Sequence, residues 1–560
     1  MRLQFLLTLS ATLALVAAAP TLGPTIKLDS GTFVGASSGL TDAYLGINFA
    51  KPPVGDLRFR LPQPIPPYKG THIVTRFGPM CPQQAMDFPF AFPGRLGEYV
   101  KYILNLIYAL THPDILESED CLNINVIKPA TASETSKLPV LAWIYGGGFE
   151  GGDPNSSISG TNLVTRSMEL GSPVVYVSLN YRVNGFGFLA SKEVKEAGVG
   201  NLGLHDQREA LRWIKKYIAQ FGGDPNKVTI WGGSAGAVSA SLQMLTNGGN
   251  TEGLFRAAFM ESGAPLPVGD ITHGQEYYDF IVAQTGCSEA VNTLECLRKV
   301  PYASIKDAIN RTPSIFSFKA LNLAWVPRTD GVFLKENPQI LVQKNIVANI
   351  PYVTSNCDDE GTMFSFSTNN LTQVCNTFHP VLLTEAETEH WVKSNFFPKM
   401  TDKQIKQFRE MYPSDVTKGS PFDTGTENAF TPQFKRIAAF QGDGVFQAPR
   451  RWLLQNTVPT NPHVWSFLSK RGKSRKYLGA SHGSDFASVE SGDLGDYLIR
   501  FATTLNPNPS GPHSFHWPNY DLKTRQLMLL QDDPPRSLIT DTYRQAPMEF
   551  LTKLCLEYPI

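Results

Sequence analysis

The sequence predicts an α/β fold: a large, mostly parallel central sheet with helices on both faces and helical insertions over it. Three observations carry this reading. Short β-branched or aromatic runs alternate with helical stretches along most of the chain, which is how strand–helix–strand units read. Two of the apolar runs end directly in glycine clusters, as buried strands feeding tight turns do. Hydrophobic residues at 42% and aromatics at 11% supply a large core and exclude a disordered chain. The 560 residues would suit several average domains, yet no linker-like composition divides them. A single domain over residues 20–560 is therefore expected.

In chain order, residues 139–145 (PVLAWIY) form the first buried-strand candidate, running into Gly146-Gly147-Gly148. Residues 173–181 (PVVYVSLNY) form the next. A helix is expected over 204–221, with Leu204, Leu211, Ile214 and Ile218 near helical spacing and Gly222-Gly223 as its stop. Residues 228–231 read as a strand that meets a second glycine cluster, and 235–245 as the helix that follows. Later strands are expected at 256–260, 351–354 and 463–467. Residues 269–349 and 384–456 read as helical, proline-punctuated insertions that roof the sheet. There is no internal repeat.

The N-terminus reads as an address. Met1-Arg2 is basic, residues 3–16 are almost wholly apolar, and Ala17-Ala18-Ala19 offers small residues for cleavage. The apolar run is shorter than the roughly 18 residues a membrane span needs, so residues 1–19 read as a secretory leader. The mature protein is expected to be secreted, with no transmembrane anchor. With 50 Lys+Arg against 50 Asp+Glu, the formal net charge of zero gives no field to attract a phosphate backbone. Nucleic acid is excluded as a partner on that ground.

Secretion makes disulfides the default for the seven cysteines. Cys287 and Cys296 suit a small closed loop, and Cys81 and Cys121, 40 residues apart, fence a larger one. Closing a loop of that length is worth roughly 3–4 kcal/mol by chain entropy. Cys357, Cys375 and Cys555 remain, with Cys357–Cys375 as a third pairing to test. No CxxC and no His at ligand spacing accompany them, so no metal site is expected. Asn155, Asn310 and Asn370 begin glycosylation sequons.

The chemistry centres on Gly232-Gly233-Ser234-Ala235-Gly236, placed between a strand and a helix. Small flanking residues permit a sharp turn that lifts the serine hydroxyl clear of the backbone. A nucleotide loop would need glycine where Ser234 and Ala237 stand. An acyl-transfer serine also needs donors for a developing oxyanion, and Gly146-Gly147-Gly148-Phe149 offers unobstructed backbone amides. It needs a base and an orienting acid as well. The acid candidates lie together as Asp358-Asp359-Glu360, just past a strand, with Glu360 beside a turn glycine preferred and the two aspartates as rivals. His482, in the glycine-flanked stretch 479–485, is the preferred base. Both follow strand carboxyl ends, where open α/β sheets build their sites.

These stretches, with Ser118-Glu-Asp-Cys-Leu-Asn123, Asn180-Tyr-Arg182, Phe221-Gly-Gly-Asp-Pro225, Asp359-Glu-Gly-Thr362 and His482-Gly483, lie in one order along the whole chain. In this the sequence resembles the type-B carboxylesterase/lipase family of α/β-hydrolases, near the secreted fungal lipases of the Candida rugosa and Geotrichum kind. The resemblance implies an α/β-hydrolase fold, a Ser234–Glu360–His482 triad, and Gly147, Gly148 and Ala235 as oxyanion donors. It settles the acid on Glu360, places disulfides at Cys81–Cys121 and Cys287–Cys296, and implies no cofactor. One departure stands out: the family usually has Glu immediately before the nucleophile, where this chain has Gly233.

The loop 81–121 bears on the substrate. Within it Val100, Ile103, Leu104 and Ile107 share one helical face, and Tyr99, Tyr102, Leu106 and Ala109 make the other side apolar too. A helix apolar nearly all round must be buried or meet something greasy. The resemblance implies a mobile lid, and uncovering a few hundred Å² at ~25 cal/mol per Å² would hold it shut in water. A lipase opening at a lipid–water interface and cleaving long-chain acylglycerols is thus the leading expectation. The alternatives are a soluble carboxylesterase or sterol esterase, and, more distantly, a noncatalytic cholinesterase-like adhesion protein. No Trp lies between Pro82 and Asp120, so a cation–π site for a quaternary ammonium is not supported there. The greasy lid face could also join two copies into a homodimer.

Overall fold

The computed structural model of the chain describes residues 23–85, 117–154, 158–369, 384–510 and 514–560. The leader, the apolar lid stretch at 99–110, Asn155, Asn370 and Cys375 lie outside the described residues.

The strands in chain order are β1 (Thr25–Leu28), β2 (Ser30–Val34), β3 (Ala36–Ser37), β4 (Thr41–Asn48), β5 (Lys69–Ile73), β6 (Asn123–Pro129) and β7 (Leu138–Ile144). They continue with β8 (Val175–Leu179), β9 (Gly223–Gly233), β10 (Ala257–Glu261), β11 (Tyr352–Cys357), β12 (Val464–Ser469), β13 (Gln526–Leu530) and β14 (Arg536–Thr540). Eleven of these form one sheet in the order β14-β13-β12-β11-β10-β9-β7-β8-β6-β4-β3, while β1, β2 and β5 make a small separate sheet. From β8 across to β13 every pairing is parallel. Both flanks are antiparallel: β6 on β8 and β4 on β6 at one side, β14 on β13 at the other.

The central strands form around short apolar, buried runs, such as VLAWI in β7 and VTIW in β9. All five residues of β8 and of β10 are buried, as strands covered on both faces must be. Trp143 of β7 lies directly beside Trp231 of β9 in register, with ring centroids 4.3 Å apart. A buried side chain of this size contributes about 1.5–3 kcal/mol. The flanking strands carry no such run. In β6 Asn123, Asn125 and Lys128 are buried, and Asn123 Nδ2 donates to the Pro79 carbonyl oxygen. The β13–β14 hairpin ends in a half-exposed strand, RSLIT. Neither flank follows from apolar runs.

The two insertions carry helices as expected, but 311–337 and 419–433 are irregular chain. Helices Glu385–Asn395 and Asp402–Met411 each open on a capping box, Thr384 with Glu387 and Thr401 with Gln404. Trp391, Phe396, Phe408 and Phe440 pack there with Leu551 of the C-terminal helix Gln545–Glu557, making a second core beside the sheet. Disulfides join Cys81 to Cys121 and Cys287 to Cys296. The Cys357–Cys375 pairing is overturned: Cys357 is a free, fully buried thiol at the end of β11. Its Sγ accepts hydrogen bonds from the Ser262 and Ser484 hydroxyls instead, which fixes it inside the sheet.

Candidate active site

Strand β9 ends at Gly233 and the helix Ala235–Gln243 starts with only Ser234 between them. Ser234 makes the turn alone, at φ 56° and ψ −128°, a region costing of order 1–3 kcal/mol for a residue with a side chain. The neighbouring chain explains the glycines. A β-carbon on Gly236 would lie 2.0 Å from the Ile144 carbonyl oxygen, so β7 and the helix could not close together. At Gly233 a β-carbon would meet the Phe486 ring at 2.4 Å. The departure at this position therefore has a local cause: an aromatic ring fills the room a glutamate would use. The Ser234 N–H donates to the Glu261 carbonyl oxygen at 2.8 Å, tying the elbow to β10.

The hydroxyl meets the base the sequence selected. His482 Nε2 lies 2.8 Å from Ser234 Oγ, and His482 Nδ1 lies 2.5 Å from Glu360 Oε2. Glu360 is held in turn, its Oε1 accepting the Cys357 N–H at 2.7 Å. The imidazole packs between aromatic rings, with the Phe446 and Phe364 centroids 4.6 and 5.3 Å from its own. Sequence reasoning did not find these two walls, since nothing in their local pattern separates them from core phenylalanines.

The rival acids serve elsewhere. Asp358 pairs with Lys473 at 2.6 Å and Arg544 at 3.0 Å; despite its burial, these cations hold its carboxyl well below the usual carboxylate range. Asp359 accepts from the Ala480 N–H at 2.9 Å and the Phe422 N–H at 2.8 Å, and pairs with Lys473 at 2.7 Å. Burial and the neighbouring Asp358 raise its carboxyl. A backbone bridge from Asp359 to Ser481 completes the joint between the acid loop and the histidine loop.

Facing the serine are the glycines after β7. Gly147 and Gly148 have φ of +113° and +64°, and Gly146 packs so closely on the elbow that a β-carbon would lie 2.8 Å from the Ser234 Cβ. The amides of Gly147, Gly148 and Ala235 donate to no other group among the described residues. That leaves three donors for an anionic oxygen, the arrangement that stabilises tetrahedral acyl-transfer intermediates. Gly148 and Ser234 open into an apolar pocket walled by Leu266, Val268, Ile315, Leu323 and Val326.

Two further carboxyls lie under the elbow. Glu261 accepts the Trp231 indole N–H at 2.6 Å, and burial with Asp485 close by pushes it well above the usual range. Asp485, three residues after His482, is fully buried, and among the described residues its carboxyl oxygens find only the weak thiol donor of Cys357. Burial and the charge of Glu360 push it up to about 6. Among the described residues no cluster of His, Cys, Asp and Glu is arranged to hold a metal, and no helix is long and apolar enough to cross a membrane. Asn310 is half-buried at the end of helix Tyr302–Asn310, its Oδ1 accepting the Ala85 N–H.

A strained serine after a parallel strand, an imidazole on its hydroxyl, a buried glutamate behind that and free amides opposite define an α/β-hydrolase of the serine-esterase type. The comparisons agree: the profile described as the carboxylesterase family matches residues 23–551, and the chain belongs to that family. It is 37% identical over 544 residues to the secreted triacylglycerol lipase LIP1 of Gibberella zeae, covering 94% of this chain and 90% of that protein. It is 39% identical over 513 residues to lipase 4 of Diutina rugosa, covering 89% of each. Among solved structures, Aspergillus niger EstA superposes with a TM-score of 0.78 at 27% identity, over 97% of this chain and 100% of EstA.

Proposed function

We propose that this protein is a secreted lipase that cleaves long-chain acylglycerol esters through an acyl-enzyme on Ser234. His482 takes the Ser234 proton as Oγ attacks the ester carbonyl carbon, and Glu360 holds the imidazole orientation and balances its positive charge. The amides of Gly147, Gly148 and Ala235 receive the oxyanion. The carbonyl re-forms, the ester C–O bond breaks, and His482 hands its proton to the departing alcohol. Water then repeats the sequence on the acyl-enzyme, releasing the acid and restoring Ser234. These steps need no cofactor.

The observation that carries this reading is the continuous contact Ser234–His482–Glu360, at 2.8 and 2.5 Å, beside unoccupied amide donors. The apolar cavity at the nucleophile suits an acyl chain better than a polar one. The lipase names of the relatives and the apolar lid sequence support a lipid ester over a small soluble one. A hydrolysis series from short to long acyl esters, run below and above their solubility limits, tests it. A rate jump when droplets form is expected; smooth saturation with short esters best would favour a soluble esterase. An organophosphonate should label Ser234 and abolish turnover, whereas no labelling would favour a noncatalytic role.

A further inference from the structure

One buried acid outside the triad belongs to the loop of the oxyanion cradle: the Glu150 N–H donates to the Gly147 carbonyl oxygen at 3.1 Å. Glu150 stands two residues after Gly148, beyond Phe149, and is fully buried. Its Oε2 accepts the Ile315 N–H at 2.8 Å, and its Oε1 has no hydrogen-bond partner among the described residues. The Ile315 side chain lies over Gly148, where its Cδ1 stands 2.8 Å from the place a β-carbon would occupy. Glu150 thus ties the loop carrying two proposed donors to the side chain that covers one of them and walls the cavity. The Glu150 main chain is gripped as well: its carbonyl oxygen accepts the Gln84 N–H at 2.9 Å and the Asn184 Nδ2 at 3.2 Å. Gln84 Nε2 in turn donates to the Thr312 carbonyl, three residues before Ile315, at 3.1 Å.

We propose that Glu150 is a positioning residue for ester hydrolysis: its carboxyl, kept neutral, clamps the Ile315 wall onto Gly148 and aligns the oxyanion amides. The inference rests on the reading of Ser234 as nucleophile. An ionised carboxylate with a free oxygen in this enclosure would be poorly solvated. It would also set a negative charge on the loop whose amides must receive the oxyanion. Burial, opposed only by the Ile315 amide, pushes the Glu150 carboxyl up to about 8. The segments around it, at Gln84, Asn184 and 312–316, bring no ionisable side chain. Arg182 is engaged with Asp206 at 2.7 Å, and the charge of Asp153, on the same loop, acts on Tyr145 and Tyr176. The sign follows: below about pH 8 the carboxyl is neutral and the cradle works, and above it the new charge opposes the oxyanion.

The test measures kcat per phosphonate-titrated active site on a soluble butyrate ester from pH 6 to 9.5, using the full-length secreted enzyme and two variants. Wild type should lose activity on the order of tenfold above pH 8, as a charge near the developing oxyanion takes effect. Glu150→Gln, which keeps the acceptor and cannot ionise, should match wild type at pH 7 and lack the alkaline fall. Glu150→Ala should lower kcat at pH 7 by about 10- to 100-fold, with KM changed far less. A wild-type rate that holds to pH 9.5 overturns the proposal, even should a variant fail to fold. So does the same alkaline loss in Glu150→Gln. Failure of the phosphonate to label wild type would sink the nucleophile reading instead, a distinguishable result.

Discussion

The two halves of the site are made from different material. The serine side is backbone: a strained Ser234, glycines at 232, 236, 147 and 148, and amides with no acceptor among the described residues. The base side is side-chain charge: Glu360 and His482 ride on loops joined by Asp359 and Lys473, with Asp358 and Arg544 behind. Backbone geometry fails in steps, because a β-carbon either fits or collides. A charge network gives by degrees, because each member has several partners. The halves should therefore answer mutation differently.

The largest effects belong to the reacting atoms and cannot tell the halves apart, but they fix the scale. Ser234→Ala should lower kcat by at least about 10⁴-fold while the fold is retained, checked by phosphonate labelling and circular dichroism. Glu360→Gln should lose about 10³- to 10⁴-fold, since the amide cannot balance the imidazolium. A residual rate within tenfold of wild type would move the acid role to another residue. Gly236→Ala separates the halves: a β-carbon 2.0 Å from the Ile144 oxygen forces β7 and the helix apart. We expect a loss of about 3 kcal/mol or more in urea unfolding, with activity falling alongside stability.

The same division explains how much of the molecule is legible in its sequence. Glycine patterns report backbone geometry, so the elbow at 232–236 and the amide run at 146–148 stand out from residue order alone. The parallel centre is readable from apolar runs such as LPVLAWI in β7, because burial on both faces leaves no alternation to confuse. The flanks are not: β6 buries asparagines and lysine through specific side-chain bonds, and β14 is half exposed. On the base side, Asp358, Asp359 and Glu360 are consecutive carboxylates, and spacing does not say which faces the imidazole. Only long-range partners decide that: Lys473, Arg544, Ala480 and His482 all lie more than a hundred residues away. Phe486 over Gly233 is the same kind of information, a contact between residues far apart in sequence.

Asp359→Asn probes the graded half. The amide oxygen still accepts from Ser420 and Phe422, but the NH2 replaces the oxygen that accepts from the Ala480 N–H and gives up the charge opposite Lys473. Lys473 still has Asp358 at 2.6 Å, and the repulsion between the two aspartates is relieved. The loss should therefore be modest, about 1–2 kcal/mol in urea unfolding, well below the roughly 3–5 kcal/mol of an orphaned buried charge, with kcat down less than tenfold. A collapse as severe as that of Gly236→Ala would erase the contrast between the halves.

Asp485 lies on the line between them: it belongs to the histidine loop, and the next residue, Phe486, packs on the elbow. Its carboxyl is held up to about 6 by burial and the Glu360 charge, against roughly 3.9 for an unfolded aspartate. Between those values the native state binds more protons than the unfolded one, so this group's contribution to stability is full below about pH 4. That contribution is lost as pH rises through about 6. Asparagine is neutral throughout and avoids the loss. Asp485→Asn should thus match wild type near pH 4 and exceed it by about 1–2 kcal/mol at pH 8, read from thermal unfolding at both values. The effect vanishes near pH 4, and its sign at pH 8 is the informative part. A variant less stable than wild type at pH 8 would mean the ionised carboxylate is held by a favourable interaction, and the elbow side would then depend on charge as the base side does.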